Sequence, residues 1–192
     1  MNRREAVSRV AFILGGTVVG ANLFVDMACN PSSKEAGDVN SFFSQDRIAY
    51  LNEVGETILP KTSTPGAKEA KVGEFMAVMV KDCYTPEDQK IFIEGLSKLD
   101  EAAEKKGGKK FIELDAAQRT VLLMDLDKEQ KEYQKNKKEE DSNHYFRMIK
   151  ELTLLGFFTS EPGATKALRY IQVPGRYDGC VPYKKGDRAW AT

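Results

Sequence analysis

Apolar residues beyond Ser41 recur at spacings of three and four, which is the period of one face of an α-helix. Three such stripes follow one another: Ile48, Leu51, Gly55 and Ile58; Val72, Met76, Met79 and Cys83; Phe92, Leu96, Leu99 and Ala103. No run alternates with period two for long enough to predict a sheet, although residues 170–173 fit a short extended piece. The pattern predicts an all-α fold.

Helix-breaking residues lie between these stripes. The sequence stops a helix at Pro60, turns at Thr64-Pro65-Gly66, offers an N-cap at Thr85 with Pro86 in the first helical position, and breaks again at Gly107-Gly108. Thr64 is a candidate cap for the helix that follows its turn. These signals separate the stripes into successive amphipathic helices.

Two further helices are predicted in the second half. One begins after an Asp115 cap, runs to about residue 137 and carries Ala117, Val121, Leu122 and Met124 on one side. The most hydrophilic stretch, 135–141, is expected to be a solvated excursion between helices. The other, 145–158, is apolar on almost every side, so it is central or lies under a partner. We therefore expect a bundle of about five to six helices with a long irregular C-terminal tail.

The N-terminus has the organisation of an export signal. Arg3 and Arg4 precede an uncharged run over 10–25, whose helical length of about 24 Å is short of the roughly 30 Å hydrocarbon core. The arginine pair resembles a twin-arginine signal, in which Glu5 and Ala6 are atypical. Cys29 ends the segment as a possible lipidation site in a poor lipobox, the alternative being a signal without lipidation.

The chain therefore divides into three parts: a signal over 1–29, a polar linker over 30–40 and one domain over 41–192. We expect an exported, periplasmic protein that contacts the membrane through its signal or through a lipid anchor.

The chain lacks the usual residues of a catalytic or cofactor site. Lys plus Arg and Asp plus Glu number 29 each, so no global charge attracts nucleic acid. His144 is the single histidine, and we interpret it as a helix-terminal or interface residue. Cys-x-x-Cys and Gly-x-Gly-x-x-Gly motifs are missing from the sequence. We predict no catalytic, metal or cofactor-binding residue on this chain.

Cys83 and Cys180 form an even pair once Cys29 is assigned to the signal. In an exported protein such a pair predicts a disulfide, which would join the tail to the second helix. The alternative is a free Cys83 thiol that packs as a small hydrophobe on its stripe.

The tail from 173 to 190 combines turn residues with aromatic and arginine side chains. Pro174, Gly175, Gly179, Pro182 and Gly186 alternate with Arg176, Tyr177, Tyr183, Arg188 and Trp190. Tyrosine, tryptophan and arginine are enriched at the centres of protein interfaces. Two interpretations remain: the aromatic side chains lay the tail over the bundle, or they contact a partner.

Several segments together resemble the gluconate 2-dehydrogenase subunit 3 family, the small accessory subunit of exported flavin-dependent sugar dehydrogenases. They are Thr-Ile-Leu-Pro at 57–60, Thr-Ser-Thr-Pro-Gly-Ala at 62–67, Phe-Phe-Thr-Ser-Glu-Pro-Gly-Ala at 157–164, and the tail at 173–183 and 185–191. The resemblance covers roughly residues 45 to 191. Ser63 replaces the acidic residue usual in the family, which weakens a charge-based role for this helix corner but hardly affects the turn.

The resemblance implies a non-catalytic subunit that escorts a flavoprotein large subunit of the glucose-methanol-choline type, with FAD on that partner and a possible cytochrome c subunit. We expect the docking face to comprise the apolar helix and the tail, with these residues: Phe146, Phe157, Phe158, Arg176, Tyr177, Tyr183 and Trp190. One rival is a lipid-anchored scaffold or binding protein of the cell envelope. Another is an enzyme in its own right.

Overall fold

The computed structural model describes residues 43–191 except 174 and 178. The predicted signal, with Arg3, Arg4 and Cys29, and the predicted linker lie outside these residues. The described part contains five α-helices: α1 (Gln45–Ile58), α2 (Val72–Cys83), α3 (Pro86–Gly107), α4 (Ala116–Asn136) and α5 (Tyr145–Thr159). A 3₁₀ turn (Phe111–Glu113) precedes α4, and a π-helical turn (Gly163–Ala167) follows α5. The predicted all-α class is confirmed.

Helix ends in the middle of the chain follow the local sequence signals. Thr85 caps α3 by accepting a hydrogen bond from the Asp88 amide at 3.2 Å. Gly108 ends α3 with φ at 69°, in the left-handed region that glycine adopts most easily. At the start of α4, Asp115 and Gln118 form a reciprocal capping box. These predicted boundaries are confirmed.

Helix α5 is the centre of the bundle. It packs against α1, α2, α3 and α4, and its Ile149 and Thr153 have no exposed surface. Close approach of α3 depends on Gly95, because a Cβ at that position would lie 2.4 Å from the Cβ of Tyr145. Of the two positions predicted for this helix, the central one is confirmed.

Arg119 joins three elements of the bundle. Its Nε donates to the carbonyl oxygens of Phe111 and Leu114, each at 3.1 Å, and its Nη2 donates to the carbonyl of Ile112 at 2.5 Å. Its Nη1 donates to Glu53 of α1 at 3.0 Å. Since these groups belong to α1, the 3₁₀ corner and α4, one side chain fixes how the three pack.

The buried side of α4 differs from the prediction. Of the four residues predicted to share one apolar side, only Leu122 is buried; Val121 and Met124 are each 57% exposed, and Ala117 is also exposed. The residues that α4 buries are Leu122, Leu123, Leu126 and Gln130. Helix α4 carries apolar residues on two sides, and α1, α3 and α5 cover only one of them.

The surface of the bundle is mostly polar. Between α4 and α5 the hydrophilic segment 137–143 is a loop with predominantly exposed residues, as predicted.

Within the residues that the structure describes, no helix combines the length and the apolar character needed to span a membrane.

Candidate functional site

The end of the chain returns to the segment that follows α5. The Arg169 amide donates to the Ala189 carbonyl at 2.8 Å, and the Ala191 amide donates to the Arg169 carbonyl at 2.8 Å. This pairing is an isolated parallel bridge between Arg169 and Trp190. Residues 170–188 therefore form a loop closed at its base, which we call the C-terminal loop.

Two arginine side chains strengthen the base of this loop. The Arg169 guanidinium lies over the Trp190 ring, 4.5 Å from its centroid, in a cation–π contact. Arg188 donates from Nη1 to the Lys166 carbonyl at 2.7 Å. Because Lys166 belongs to the π-helical turn, the loop is tied to the bundle through the region just after α5.

The C-terminal loop presents aromatic side chains to solvent. Tyr177 is 96% exposed and Tyr183 is 73% exposed. A turn follows Tyr183, in which Asp187 Oδ2 accepts from the Lys184 amide at 2.9 Å and Gly186 has φ at 97°. The backbone near Tyr183 is thus shaped by local hydrogen bonds, while its ring contacts solvent.

Trp190 and Tyr177 differ in how much of their rings the chain covers. Trp190 is 43% exposed because one side of its ring contacts Arg169, so it holds the tail in place. Tyr177 has almost no cover from the chain. Arg176 is also exposed on this loop.

The predicted docking residues on α5 require a correction. Phe146 is 2% exposed and Phe157 is 4% exposed, so both are core residues with no surface for a partner. Phe158 is 40% exposed and packs edge-on against the ring of Phe157, with centroids 5.1 Å apart. The reason is the central position of α5, where only a narrow strip of the helix remains uncovered.

The predicted disulfide between Cys83 and Cys180 is not present in the structure. Cys83 is the last residue of α2, and its exposed thiol contacts the Met79 sulfur at 3.9 Å. Cys180 lies on the C-terminal loop, which is anchored at Arg169 and Lys166. The alternative of a buried Cys83 is wrong as well, because the stripe of α2 turns outward at its last residue.

His144 caps the N-terminus of α5. Its Nδ1 accepts a hydrogen bond from the Phe146 amide at 3.2 Å, and its Nε2 lies 3.6 Å from Glu129. Burial lowers the pKa of His144 below its usual value, although the carboxylate of Glu129 opposes this shift. The neutral imidazole can accept at Nδ1, so the helix-terminal interpretation is confirmed.

The corner at 62–67 encloses a carboxylate that the sequence did not reveal. Glu56 accepts hydrogen bonds from the amides of Lys61 at 2.8 Å and Lys68 at 2.9 Å. A Cβ at Gly66 would lie 2.4 Å from the Glu56 oxygens, which explains the glycine. Thr64 does not cap the next helix, since α2 begins at Val72 after Lys71. The corner is a structural turn.

Among the described residues no cluster of three or more His, Cys, Asp or Glu could hold a metal ion. The two main features of the described residues are a helical bundle and an anchored loop that exposes tyrosines. Tyrosine is one of the residue types enriched at protein interfaces.

The family model for gluconate 2-dehydrogenase subunit 3 matches residues 45–175. The match covers more than half of the chain, so the chain belongs to this family, whose members are accessory subunits of a dehydrogenase complex. The match ends inside the C-terminal loop, and the exposed Tyr177 and Tyr183 lie beyond it. Neither the curated proteins nor the solved structures contain a match to the chain.

Proposed function

We propose that this chain is the non-catalytic small subunit of an exported, FAD-dependent dehydrogenase complex of the glucose-methanol-choline type. In this proposal it binds the flavoprotein large subunit through the C-terminal loop and assists its export, folding or stability. Family membership supports the general role. The proposed docking site is based on one observation: Tyr177 and Tyr183 are exposed on a loop that is closed at its base.

Closure of the loop favours binding for an entropic reason. A free tail loses conformational entropy when it binds, whereas the Arg169–Trp190 base has already ordered part of this segment. Tyrosine adds a large apolar ring with a hydroxyl and only two side-chain torsions. Tyr177 and Tyr183 therefore gain buried area on docking at a modest entropic cost.

The proposal assigns the remaining functions to other parts of the complex. Arg3 and Arg4 belong to the export signal, and Cys29, if lipidated, attaches the subunit to a membrane in the periplasm. FAD and the reacting groups belong to the large subunit, and a cytochrome c subunit is a candidate electron acceptor. This chain then contributes recognition rather than chemistry.

The first experiment isolates the chain with its partners. We would attach a tag and a flexible linker after Thr192, purify the chain gently from its native host, and record the absorption spectrum and dye-linked dehydrogenase activity of the eluate. Flavin bands with a co-eluting large polypeptide are expected. A colourless, inactive monomer would overturn the proposal and favour the envelope-scaffold alternative.

The docking site is tested by tyrosine variants in the same purification. The double change Tyr177→Ala with Tyr183→Ala should weaken retention of the large subunit by about tenfold or more, because interface tyrosines are frequent hot spots. The control is Tyr133→Ala, a tyrosine 41% exposed on α4. Equal retention in both variants would show that the loop is not the docking site.

A further inference from the structure

A second surface on the bundle has no covering element among residues 43–191 that the structure describes. Val121 and Met124 are three residues apart on α4, each 57% exposed, and form a ridge. An open groove lies on each side of it. The first groove runs between the end of α3 and α4 and includes Gly107, Leu114 and Val121. The second lies among α1, α4 and α5 and includes Ile58, Met124 and Lys150.

A ridge between two grooves is the shape that a packed helix recognises. Helices pack by inserting the side-chain ridges of one into the grooves of the other. On its opposite side α4 buries Leu122 and Leu126 against the bundle. The exposed ridge therefore offers an incoming helix the same kind of contact.

The charge around the ridge is positive. Lys106 and Lys128 both pair with Asp125, and the distance from Lys128 to Asp125 is 3.1 Å. Lys131 at 2.7 Å and Lys150 at 2.5 Å both pair with Asp127. These six side chains have a net charge of +2, and all four lysines line the grooves. The complementary surface is acidic.

We propose that this face of α4 binds an acidic amphipathic helix of the dehydrogenase partner, as a second contact besides the C-terminal loop. Apolar side chains of that helix fill the grooves beside Val121 and Met124, and its carboxylates pair with the lysines. The inference rests on the proposed function. A second copy of this chain fits less well, because a twofold axis through the ridge would bring like charges together. A flat lipid surface would leave the grooves unfilled.

Photo-crosslinking in the native complex tests this surface and the loop separately. The photo-reactive residue p-benzoylphenylalanine replaces Met124, Tyr177 or Lys135 in the full, tagged chain, one position at a time. Lys135 is an exposed control near the end of α4. Adducts are formed in the native host, purified, and assigned to peptides by mass spectrometry.

We expect position 124 to crosslink to a helical segment of the large subunit that contains Asp or Glu beside apolar residues, and position 135 to give no such adduct. Adding Lys128→Glu with Lys131→Glu should lower the yield at position 124 by about tenfold, since close charge pairs across interfaces are strongly coupled. The matched control, Lys135→Glu with Lys138→Glu, makes the same charge change outside the grooves and should leave that yield unchanged.

The two proposals fail in different ways. If position 177 crosslinks to the large subunit while position 124 gives only lipid, a second copy of this chain or no adduct, the α4 inference is overturned and the proposed function stands. An adduct at position 124 that is insensitive to the lysine changes also overturns it. If no large subunit is recovered at any position, the proposed function is overturned and the inference with it.

Discussion

In the bundle, Phe92 and Phe111 have no exposed surface, whereas in the C-terminal loop Tyr177 and Tyr183 expose 96% and 73% of theirs. Both regions are held by an arginine. Arg119 makes three carbonyl contacts and an ion pair with Glu53 inside the bundle, while Arg169 contacts Trp190 at the base of the loop. The bundle therefore uses aromatic rings for stability, and the loop keeps them available for contact.

The largest expected effect on stability is in the bundle core. Phe92 packs edge-on against Phe43 and Tyr84, with centroids 6.2 Å and 6.5 Å away. Phe92→Ala should lower the free energy of unfolding by about 3–5 kcal/mol, because it removes buried area and leaves a cavity. Tyr183→Ala in the loop should change it by less than about 0.5 kcal/mol. Urea denaturation of both variants makes the comparison, and similar losses would remove the distinction between the regions.

A smaller loss is expected at the arginine that joins the bundle elements. Arg119→Met removes the donor to three carbonyl oxygens and to Glu53 Oε2, while Lys68 still pairs with Oε1 of that carboxylate. The change should cost about 2–3 kcal/mol. The control is Arg147→Met on α5, where the arginine pairs with Glu151 at 2.8 Å in an exposed i,i+4 geometry. That change should cost at most about 1 kcal/mol. A similar cost for both in chemical denaturation would contradict the joining role of Arg119.

The Asp127 ion pairs make the bundle sensitive to acid. Burial acts to raise the Asp127 pKa, but hydrogen bonds from Lys131, Lys150 and Gln130 outweigh it and hold the pKa at about 2. A lowered pKa contributes stability above the unfolded value of about 3.9, and that contribution is lost as pH falls through about 2. Its size should be about 1 kcal/mol, since the lysines are partly solvated.

Asp127→Asn removes this titration and provides the test. The difference in free energy of unfolding between wild type and Asp127→Asn should be constant from pH 6 to pH 5 and should shrink as pH approaches 2. If the difference stays the same from pH 5 down to pH 2, Asp127 is not held ionised by the two lysines.

A small effect on global stability is expected at the base of the loop. Trp190→Ala removes the contact with Arg169, which should cost about 0.5–1 kcal/mol. It should nevertheless accelerate trypsin cleavage after Arg176, Lys184 or Lys185, because the loop loses its closure. Tyr177→Ala is the control, since Tyr177 is almost fully exposed, and should leave cleavage unchanged. Equal cleavage of wild type and Trp190→Ala would show that Trp190 does not order the loop.

Several features were predictable because they depend on neighbouring residues. The caps at Thr85 and Asp115 and the stop at Gly108 involve hydrogen bonds or backbone angles within a few residues. His144 as a helix-terminal residue is similarly local. The family resemblance also came from short segments, and the family assignment is confirmed over residues 45–175.

The predicted docking residues have different degrees of exposure in the structure. Tyr177 and Tyr183 are exposed in keeping with an interface role, but Phe146 and Phe157 belong to the core. An apolar side chain looks the same in sequence whether it contacts its own bundle or a partner. The disulfide prediction was wrong because the pairing of two cysteines depends on where the tail folds, and its anchor proved to be Arg169.

The sequence by itself determined the helical class, most helix ends and the family, since these follow from periodicity and from contacts a few residues apart. Tertiary structure decided which side of α4 is buried, how Arg119 reaches Glu53 across 66 positions, and how Trp190 closes the loop on Arg169. The physical reason is that burial and long-range pairing depend on which elements meet in space. A helix with two apolar sides, such as α4, leaves that choice to its neighbours.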